Sequence, residues 1–282
     1  MKILVTGASG QLGSEIKELS TNYTNDTFIF VDREEMALDD LTQVLSVIEN
    51  INPDLIISGG AYTAVDKAES EEKLVDIINH QAVAKIAEWV KQNNRKLIHI
   101  STDYVFQGTS STPLKENEPT NPINVYGLTK QKGEEAIISS DADAIIIRTA
   151  WVYSSYGANF VKTMIRLMTD REEISVIGDQ VGSPTYAYDL AQVILNIVHS
   201  DRWVKGVYHF SNEGEISWYD FAVAIKELKN LNCNIKPITT AEYPTAAKRP
   251  NYSLLDKTKI KQTFGVTVPE WKQSLVNMLG KI

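Results

Sequence analysis

Tyr126 and Lys130 lie four residues apart in the run Asn-Val-Tyr-Gly-Leu-Thr-Lys, so on a helix their side chains share one face. A free phenol has a pKa of about 10, and bringing it near 7 takes roughly 4 kcal/mol of preferential stabilisation of the phenolate. A neighbouring ammonium in a partly dry pocket supplies such stabilisation. The pair therefore predicts a tyrosine that exchanges a proton with a substrate oxygen at neutral pH.

A glycine loop near the amino terminus predicts a dinucleotide site. Gly7, Gly10 and Gly13 follow a predicted strand and open a predicted helix. Glycine lets backbone N–H groups approach a phosphate and lets the helix pack close to the strand. Asp32 ends the next strand, where a carboxylate would hydrogen-bond an adenosine ribose. Asp32 favours NADH, whereas Arg33 could receive the 2′-phosphate of NADPH, so both cofactors remain open.

Short apolar runs alternate with longer amphipathic segments through the first half of the chain. We predict strands at Lys2–Thr6, Thr27–Asp32, Asp54–Ser58, Lys96–Ser101 and Ala144–Thr149. We predict helices at Gln11–Ser20, Leu41–Asn50, Glu71–Asn94 and Tyr126–Ser139. Continuous apolar strands separated by helices indicate an α/β fold of the Rossmann type, with a doubly wound parallel sheet covered on both faces.

After residue 150 the alternation loosens. We predict strands at Ile174–Ile177 and Val207–Ser211, helices at Asn159–Met168, Ala187–Val198 and Trp218–Leu228, and a last helix that begins near Pro269. We interpret residues 1–150 as the dinucleotide-binding core, with returns from the second half. Residues 151–282 then form mainly a smaller C-terminal substrate-binding lobe at the carboxyl edge of the sheet.

Composition excludes several other classes of protein. The formal net charge of -8 argues against nucleic acid or an anionic membrane as the main partner. The single cysteine, Cys233, excludes an internal disulfide and fits a reducing compartment. No apolar stretch approaches the ~18 residues of a membrane span, so we expect a cytoplasmic protein. The four histidines lack metal-ligand spacing, and we expect no zinc site.

With these residues in place, the chain resembles the dTDP-4-dehydrorhamnose reductases, a family of extended short-chain dehydrogenase/reductases. The resemblance rests on segments spread nearly end to end: Gly7–Gly13, Ala61–Glu69, Ser101–Phe106, Asn124–Lys130, Arg148–Tyr153, Gly182–Thr185 and Arg249–Pro250. The glycine loop and Tyr-x-x-x-Lys occur throughout the superfamily. The segments Ala-Val-Asp-Lys-Ala-Glu and Ser-Thr-Asp-Tyr-Val-Phe are much more specific.

This resemblance implies that Thr102, Tyr126 and Lys130 are catalytic in reducing the C4 keto group of a dTDP-sugar with NADPH or NADH. Thr102 would hydrogen-bond the C4 carbonyl oxygen, and Tyr126 would donate the proton as hydride arrives from the nicotinamide. Lys130 would lower the phenol pKa and bind the nicotinamide ribose. Ser101 is the alternative to Thr102, because neighbours on a strand point to opposite faces.

The resemblance also implies the remaining binding residues. Those along the cofactor are Gln11, Leu12, Asp39, Ala61, Tyr62, Thr63 and Asn79, together with the glycines, Asp32, Arg33, Tyr126 and Lys130. Those of the sugar pocket are Val65, Asp66, Thr102, Asp103, Tyr104, Tyr126 and Trp151, with Arg249 as a clamp on the nucleotide diphosphate. Core packing is the alternative for Trp151, and a plain surface position is the alternative for Arg249. A solvated position in mid-helix is the alternative for Asn79.

Further readings stay open. Some relatives use a glutamate on the first helix in a magnesium-bridged dimer, so Glu15 leaves Mg²⁺ and a homodimer open, although no other ligand can be placed. A nucleotide-sugar dehydratase is the nearest enzymatic rival, but Tyr104 stands where those enzymes have a catalytic glutamate. Another nucleotide-sugar 4-ketoreductase and an epimerase of the superfamily are further alternatives. A non-catalytic regulatory subunit that binds a dinucleotide is the rival of a different class.

Overall fold

The central element is a six-stranded sheet in which every strand is parallel to its neighbours. The computed structural model describes residues 1–282. The strands are β1 (Lys2–Thr6), β2 (Thr27–Val31), β3 (Leu55–Ser58), β4 (Lys96–Thr102), β5 (Asp143–Thr149) and β10 (Gly206–His209), and their spatial order is β2-β1-β3-β4-β5-β10. Because β1 lies between β2 and β3, the strand order reverses beside β1, where open α/β sheets bind ligands.

Helices cover both faces of this sheet. In the first half they are α1 (Gln11–Ser20), α2 (Leu41–Ile51), α3 (Val65–Ala68), α4 (Glu72–Asp76), α5 (Ala82–Gln92) and α6 (Val125–Ser139). Alternate strand residues serve opposite faces: Ile3 and Val5 pack with α1, while Leu4 packs with α2 and α5. The α/β fold with a parallel Rossmann-type sheet is therefore confirmed.

The second half supplies small sheets, further helices and one strand of the large sheet. Its elements are β6 (Val152–Tyr153), α7 (Phe160–Asp170), β7 (Glu173–Ile177), β8 (Val181–Gly182), β9 (Thr185–Tyr186), α8 (Ala187–Val198), β11 (Ile216–Ser217), α9 (Trp218–Leu228), β12 (Asn234–Ile238), α10 (Thr258–Phe264) and α11 (Trp271–Leu279). Helix α8 packs with α1 in the core of the large sheet, and β10 pairs with β5. A separate core joins α7, α9 and α11.

One predicted element differs from the structure in kind, and other elements were not predicted. The single helix expected over Glu71–Asn94 is interrupted by a π-helical turn at Ile77–Gln81, between α4 and α5. The helix α10, Thr258–Phe264, was not predicted, because its seven residues give too short a pattern to recognise. The other predicted strands and helices are present, with ends that shift by a few residues.

Candidate active site

One large cavity of about 710 Å³ opens at the carboxyl edge of the sheet, beside the point where the strand order reverses. It is lined by the glycine loop, by the segments that follow β2 and β3, and by residues at the ends of β4 and β5. The predicted site residues among its walls are Gly7, Gly10, Gln11, Leu12, Gly13, Asp32, Arg33, Asp39, Ala61, Tyr62, Thr63, Val65, Thr102, Asp103, Tyr104, Tyr126, Lys130 and Trp151.

The glycine loop between β1 and α1 leaves no room for side chains. Gly7 has φ 73°, and a Cβ there would lie 2.9 Å from the backbone of Gly60. A Cβ on Gly13 would lie 2.2 Å from the carbonyl oxygen of Gly7. The amino-terminal end of α1 lies at the cavity, where Gln11 and Leu12 join the glycines in the wall. Such a cradle fits the pyrophosphate of a dinucleotide, because free N–H groups and the helix dipole favour an anion.

The end of β2 presents both signs of charge to the cavity. The carboxylate of Asp32 accepts a hydrogen bond from the N–H of Ser9 at 2.8 Å, which ties the glycine loop to β2. Arg33 donates to Asp39 at 2.9 Å, and its side chain is 77 % exposed. An acid of the kind that binds a ribose hydroxyl and an arginine of the kind that binds a phosphate therefore both line the cavity.

Helix α6 begins with two caps that fix the position of Tyr126. The side chain of Asn124 accepts from the N–H of Gly127 at 2.7 Å, and the carboxylate of Glu69 accepts from the N–H of Val125 at 2.8 Å. Gly127 allows close packing, since a Cβ there would lie 2.2 Å from the carbonyl oxygen of Tyr104. The first turn of α6 is thereby held against the segment that follows β4.

Tyr126 faces the cavity, but its pKa moves opposite to the prediction. Burial of the phenol raises the pKa of Tyr126 to about 12; the hydroxyl of Thr102 opposes this rise and the charge of Asp103 adds to it. The prediction of a pKa near 7 is therefore wrong for this structure. Tyr126 is protonated at neutral pH, which is the form that a proton donor requires.

Lys130 is buried at the foot of the same cavity, with a relative exposure of 2 %. Its ammonium donates to the carbonyl oxygen of Ile100 at 2.6 Å and lies 3.1 Å from Nε2 of His99. Burial lowers the pKa of Lys130 to about 8, and the charge of Glu134 opposes that fall. Burial of the phenol, rather than the ammonium, decides the pKa of Tyr126, which is therefore not lowered as predicted.

Thr102, rather than Ser101, offers its hydroxyl on the side of Tyr126. The hydroxyl of Ser101 donates to the buried carboxylate of Glu134, which also pairs with Arg148 at 2.6 Å. The hydroxyl of Thr102 donates to Asp103 Oδ1 at 3.0 Å. Asp103 Oδ2 is buried without a hydrogen-bond partner, and burial raises the pKa of this carboxyl to about 6. An unpaired acceptor in the wall of a cavity is suited to a ligand hydroxyl.

Two stacked indoles form the wall that comes from the second half of the chain. Trp151 has φ 48° and stacks on Trp218 with ring centroids 3.7 Å apart. Gly182 lies against Trp151, so that a Cβ there would be 3.2 Å from the ring. Trp151 therefore lines the cavity rather than serving only as core packing. Trp218 was not predicted, because its place beside Trp151 arises only in the folded chain.

Three predicted site residues lie outside the walls of the cavity. The side chain of Asn79 accepts from the N–H of Tyr62 at 2.9 Å and donates to the carbonyl oxygen of the same residue at 3.1 Å. It therefore fixes the segment that follows β3 without lining the cavity itself. Asp66 and Arg249 form an ion pair at 2.7 Å, and the guanidinium faces Tyr104. A direct cofactor contact by Asn79 is therefore not what this structure shows.

Glu15 does not offer a metal site. Its side chain is buried, accepts from the hydroxyl of Ser154 at 2.6 Å and lies 3.6 Å from the ammonium of Lys281. The cation that balances its charge is thus a lysine of the same chain. No group of three or more His, Cys, Asp or Glu side chains is arranged to hold a metal ion, so the structure gives Mg²⁺ no support. No helix is long and apolar enough to cross a membrane.

Together, the Rossmann-type sheet, the glycine cradle and the Tyr126–Lys130 helix at one cavity define an extended short-chain dehydrogenase/reductase. The model of the family "RmlD substrate binding domain" matches residues 1–282. A dTDP-4-dehydrorhamnose reductase of Aggregatibacter actinomycetemcomitans is 40% identical over 98% of this chain and 98% of its own length. The chain therefore belongs to the dTDP-4-dehydrorhamnose reductase family.

Solved structures show the same relationship in three dimensions. A dTDP-4-dehydrorhamnose reductase of Clostridium acetobutylicum has a TM-score of 0.95 and 38% identity, covering 99% of both chains. A dTDP-4-dehydrorhamnose reductase of Bacillus anthracis in complex with NADP also has a TM-score of 0.95 and 38% identity, covering 100% of this chain and 99% of its own. The fold around the cavity is thus shared with a relative that binds a nicotinamide dinucleotide.

Proposed function

We propose that this protein reduces the C4 keto group of dTDP-4-dehydro-β-L-rhamnose to give dTDP-β-L-rhamnose, with NADPH or NADH as reductant. Family membership over the full chain supports this substrate class. The observation that carries the proposal is the presence of Thr102, Tyr126 and Lys130 in one cavity with the glycine cradle. A reduced nicotinamide bound there supplies hydride to carbon.

Thr102, Tyr126 and Lys130 then each have a defined task. The Thr102 hydroxyl and the Tyr126 phenol lie on the same side of the cavity and would hydrogen-bond the keto oxygen. Tyr126, protonated at neutral pH because burial raises its pKa, would transfer its proton to that oxygen as the alcohol forms. The ammonium of Lys130 would favour the phenolate left behind and hold ribose hydroxyls.

The two halves of the chain would divide the ligands between them. Residues 1–150 supply the cradle, Asp32 and Arg33 to the dinucleotide. Residues 151–282 supply Trp218, which with Trp151 offers apolar faces suited to a deoxysugar or base. Arg249 remains a candidate for the diphosphate, because its guanidinium faces Tyr104 and would exchange Asp66 for a phosphate. A homodimer stays a prediction.

The choice between NADPH and NADH also belongs to this proposal. The relative from Bacillus anthracis was solved with NADP, and Arg33 here is exposed at the end of β2. Asp32 beside it suits the free 2′-hydroxyl of NADH. We propose that both dinucleotides bind, with Arg33 giving NADPH the additional contact.

The test is a turnover assay with purified protein, each reduced dinucleotide and a panel of 4-keto sugar nucleotides. We expect cofactor oxidation to match, mole for mole, the formation of a sugar nucleotide that carries two more hydrogens. An epimerase would convert its substrate without added reductant. Absence of turnover with every substrate, alongside retained dinucleotide binding, would favour the regulatory-subunit alternative and contradict the proposal.

A further inference from the structure

His99 is a fully buried ionisable group for which the proposed reaction has no use. It lies on β4, three residues before Thr102, with a relative exposure of 0 %. Its Nδ1 is 3.1 Å from the hydroxyl of Ser58 on β3, and its Nε2 is 3.1 Å from the ammonium of Lys130 on α6. A continuous buried chain of polar groups therefore runs from β3 through β4 to the lysine in the cavity.

The hydrogen bonds assign the tautomer of this imidazole. A lysine ammonium only donates, so Nε2 of His99 must accept and the ring proton must be on Nδ1. Nδ1–H then donates to the hydroxyl of Ser58. Burial, together with the charge of Lys130, lowers the pKa of His99 well below its ordinary value, which agrees with a neutral ring.

Counting donors shows what the contact does for Lys130. An ammonium has three N–H donors, and the carbonyl oxygen of Ile100 and Nε2 of His99 take two of them. Because Lys130 also lines the cavity, its third donor is the one left for a ligand or for the phenol. We infer that His99 is a positioning residue that, fixed by Ser58, holds the Lys130 ammonium with one donor directed into the active-site cavity.

The charges around Lys130 give this contact a measurable effect. Glu134 lies one turn along α6 and favours the ammonium, but it is paired with Arg148 from β5 at 2.6 Å. His99 is the neutral acceptor on the opposite element, β4. Since a hydrogen bond to the charged form stabilises it, loss of Nε2 should lower the pKa of Lys130 below its present value of about 8.

The consequence for catalysis rests on the proposed function and is tested with two variants. His99→Gln keeps an acceptor near the position of Nε2, whereas His99→Leu keeps apolar bulk without one. We expect His99→Leu to move the alkaline limb of the kcat profile down by about one pH unit and to lower kcat about tenfold, with the limb restored in His99→Gln. If both variants lost kcat equally and the alkaline limb did not move, His99 would act only through packing. That result would overturn the inference.

A second measurement does not need turnover. Nitrogen-15 NMR of the imidazole rings, with His99 identified by the signal missing in His99→Gln, reports which nitrogen carries the proton. We expect a neutral Nδ1–H ring between pH 6 and 8, and a mixture of tautomers in Lys130→Met, where no ammonium donates to Nε2. A protonated Nε2 in the wild-type protein would overturn the inference even if the enzyme reduces its substrate. The expected tautomer in a protein without turnover would instead leave the inference standing while the proposed function fails.

Discussion

Trp218 at the start of α9 stacks on Trp151 after β5, with ring centroids 3.7 Å apart and planes inclined by 15°. Trp151 holds φ 48°, a conformation that costs on the order of 1–3 kcal/mol for a bulky residue. Such a backbone conformation persists only where the surrounding structure enforces it, and here Gly182 and Trp218 enclose the ring. The strained residue lies in the wall of the cavity, and its ring also packs against the apolar cluster that contains Phe106 and Leu255.

We expect Trp218→Ala to raise KM for the sugar nucleotide roughly 3- to 10-fold, the range that an aromatic pair accounts for. Trp218→Phe keeps an aromatic face and should recover most of that loss. The dinucleotide, which is proposed to bind at the glycine cradle, should keep its Kd in both variants. Steady-state kinetics and a fluorescence titration separate the two ligands. A parallel loss of dinucleotide affinity would show that Trp218 supports the fold as a whole rather than the sugar pocket.

The glycine cradle gives a prediction about dinucleotide binding. In Gly13→Ala the new Cβ would lie 2.2 Å from the carbonyl oxygen of Gly7, so the loop and α1 must separate. We expect the dinucleotide Kd to rise at least about tenfold, because the N–H groups no longer converge on one phosphate position. Gly280→Ala is the matched control, since the nearest atom to its Cβ is 3.5 Å away. Equal dinucleotide affinities in the two variants would contradict the proposal that the glycine cradle binds the dinucleotide.

Cofactor preference should respond to the charges at the end of β2. Arg33→Ala is expected to weaken NADPH several-fold more than NADH, because it removes the partner of the 2′-phosphate. Asp39→Asn releases the guanidinium from its ion pair and should strengthen NADPH. Asp32→Ala should weaken NADH more than NADPH. Titration of both dinucleotides tests these predictions. If Asp32→Ala weakened NADH and NADPH equally, Asp32 would not bind the ribose as proposed.

Asp103 predicts a dependence of stability on pH. Its folded pKa of about 6 exceeds its ordinary value of 3.8, so between these values the folded protein binds more protons than the unfolded chain. The contribution of Asp103 to stability is therefore fully present below pH 3.8 and declines until about pH 6. Asp103→Asn removes this decline, and its effect on unfolding free energy should become more favourable by about 2 kcal/mol between pH 4.5 and 7.5.

Denaturant unfolding of both proteins at the two pH values measures this difference. The control is Asp141→Asn, because Lys205 and Lys91 lower the pKa of Asp141 to about 2. A depressed pKa alters stability only as the pH falls through 3.8 toward 2, so the control difference should stay almost constant above pH 4.5. A pH-independent effect of Asp103→Asn would show that this carboxyl is not perturbed by burial.

Local sequence patterns predicted the parts of the site that lie on one element and its adjoining loop. The glycines and Asp32 follow apolar strands directly, so their place at the carboxyl edge of a parallel sheet comes from strand direction alone. Tyr126 and Lys130 share a helix, and their common face follows from spacing. Thr102 was preferred over Ser101 on the basis of the resemblance, and in the structure the hydroxyl of Ser101 is already bonded to Glu134.

Contacts between distant segments could not be read from spacing. Arg249 reaches Asp66 across 183 residues, and Trp218 meets Trp151 only in the folded chain. The pKa of Tyr126 was predicted wrongly because helix spacing shows that an ammonium is near but not how deeply the phenol is buried. Asn79 lies in a π-helical turn, where the usual helical spacing no longer tells which way a side chain points.

The proton transfer from Tyr126 is tested most directly by Tyr126→Phe, which removes one oxygen and keeps the ring. With dTDP-4-dehydro-β-L-rhamnose and NADPH, we expect kcat to fall on the order of 10²–10⁴-fold, as for loss of a positioned general acid, while the dinucleotide Kd is unchanged. Tyr104→Phe, which removes the neighbouring phenol of the same cavity, should cost much less. A kcat for Tyr126→Phe within a few-fold of the wild-type value would contradict the assignment of Tyr126 as the proton donor.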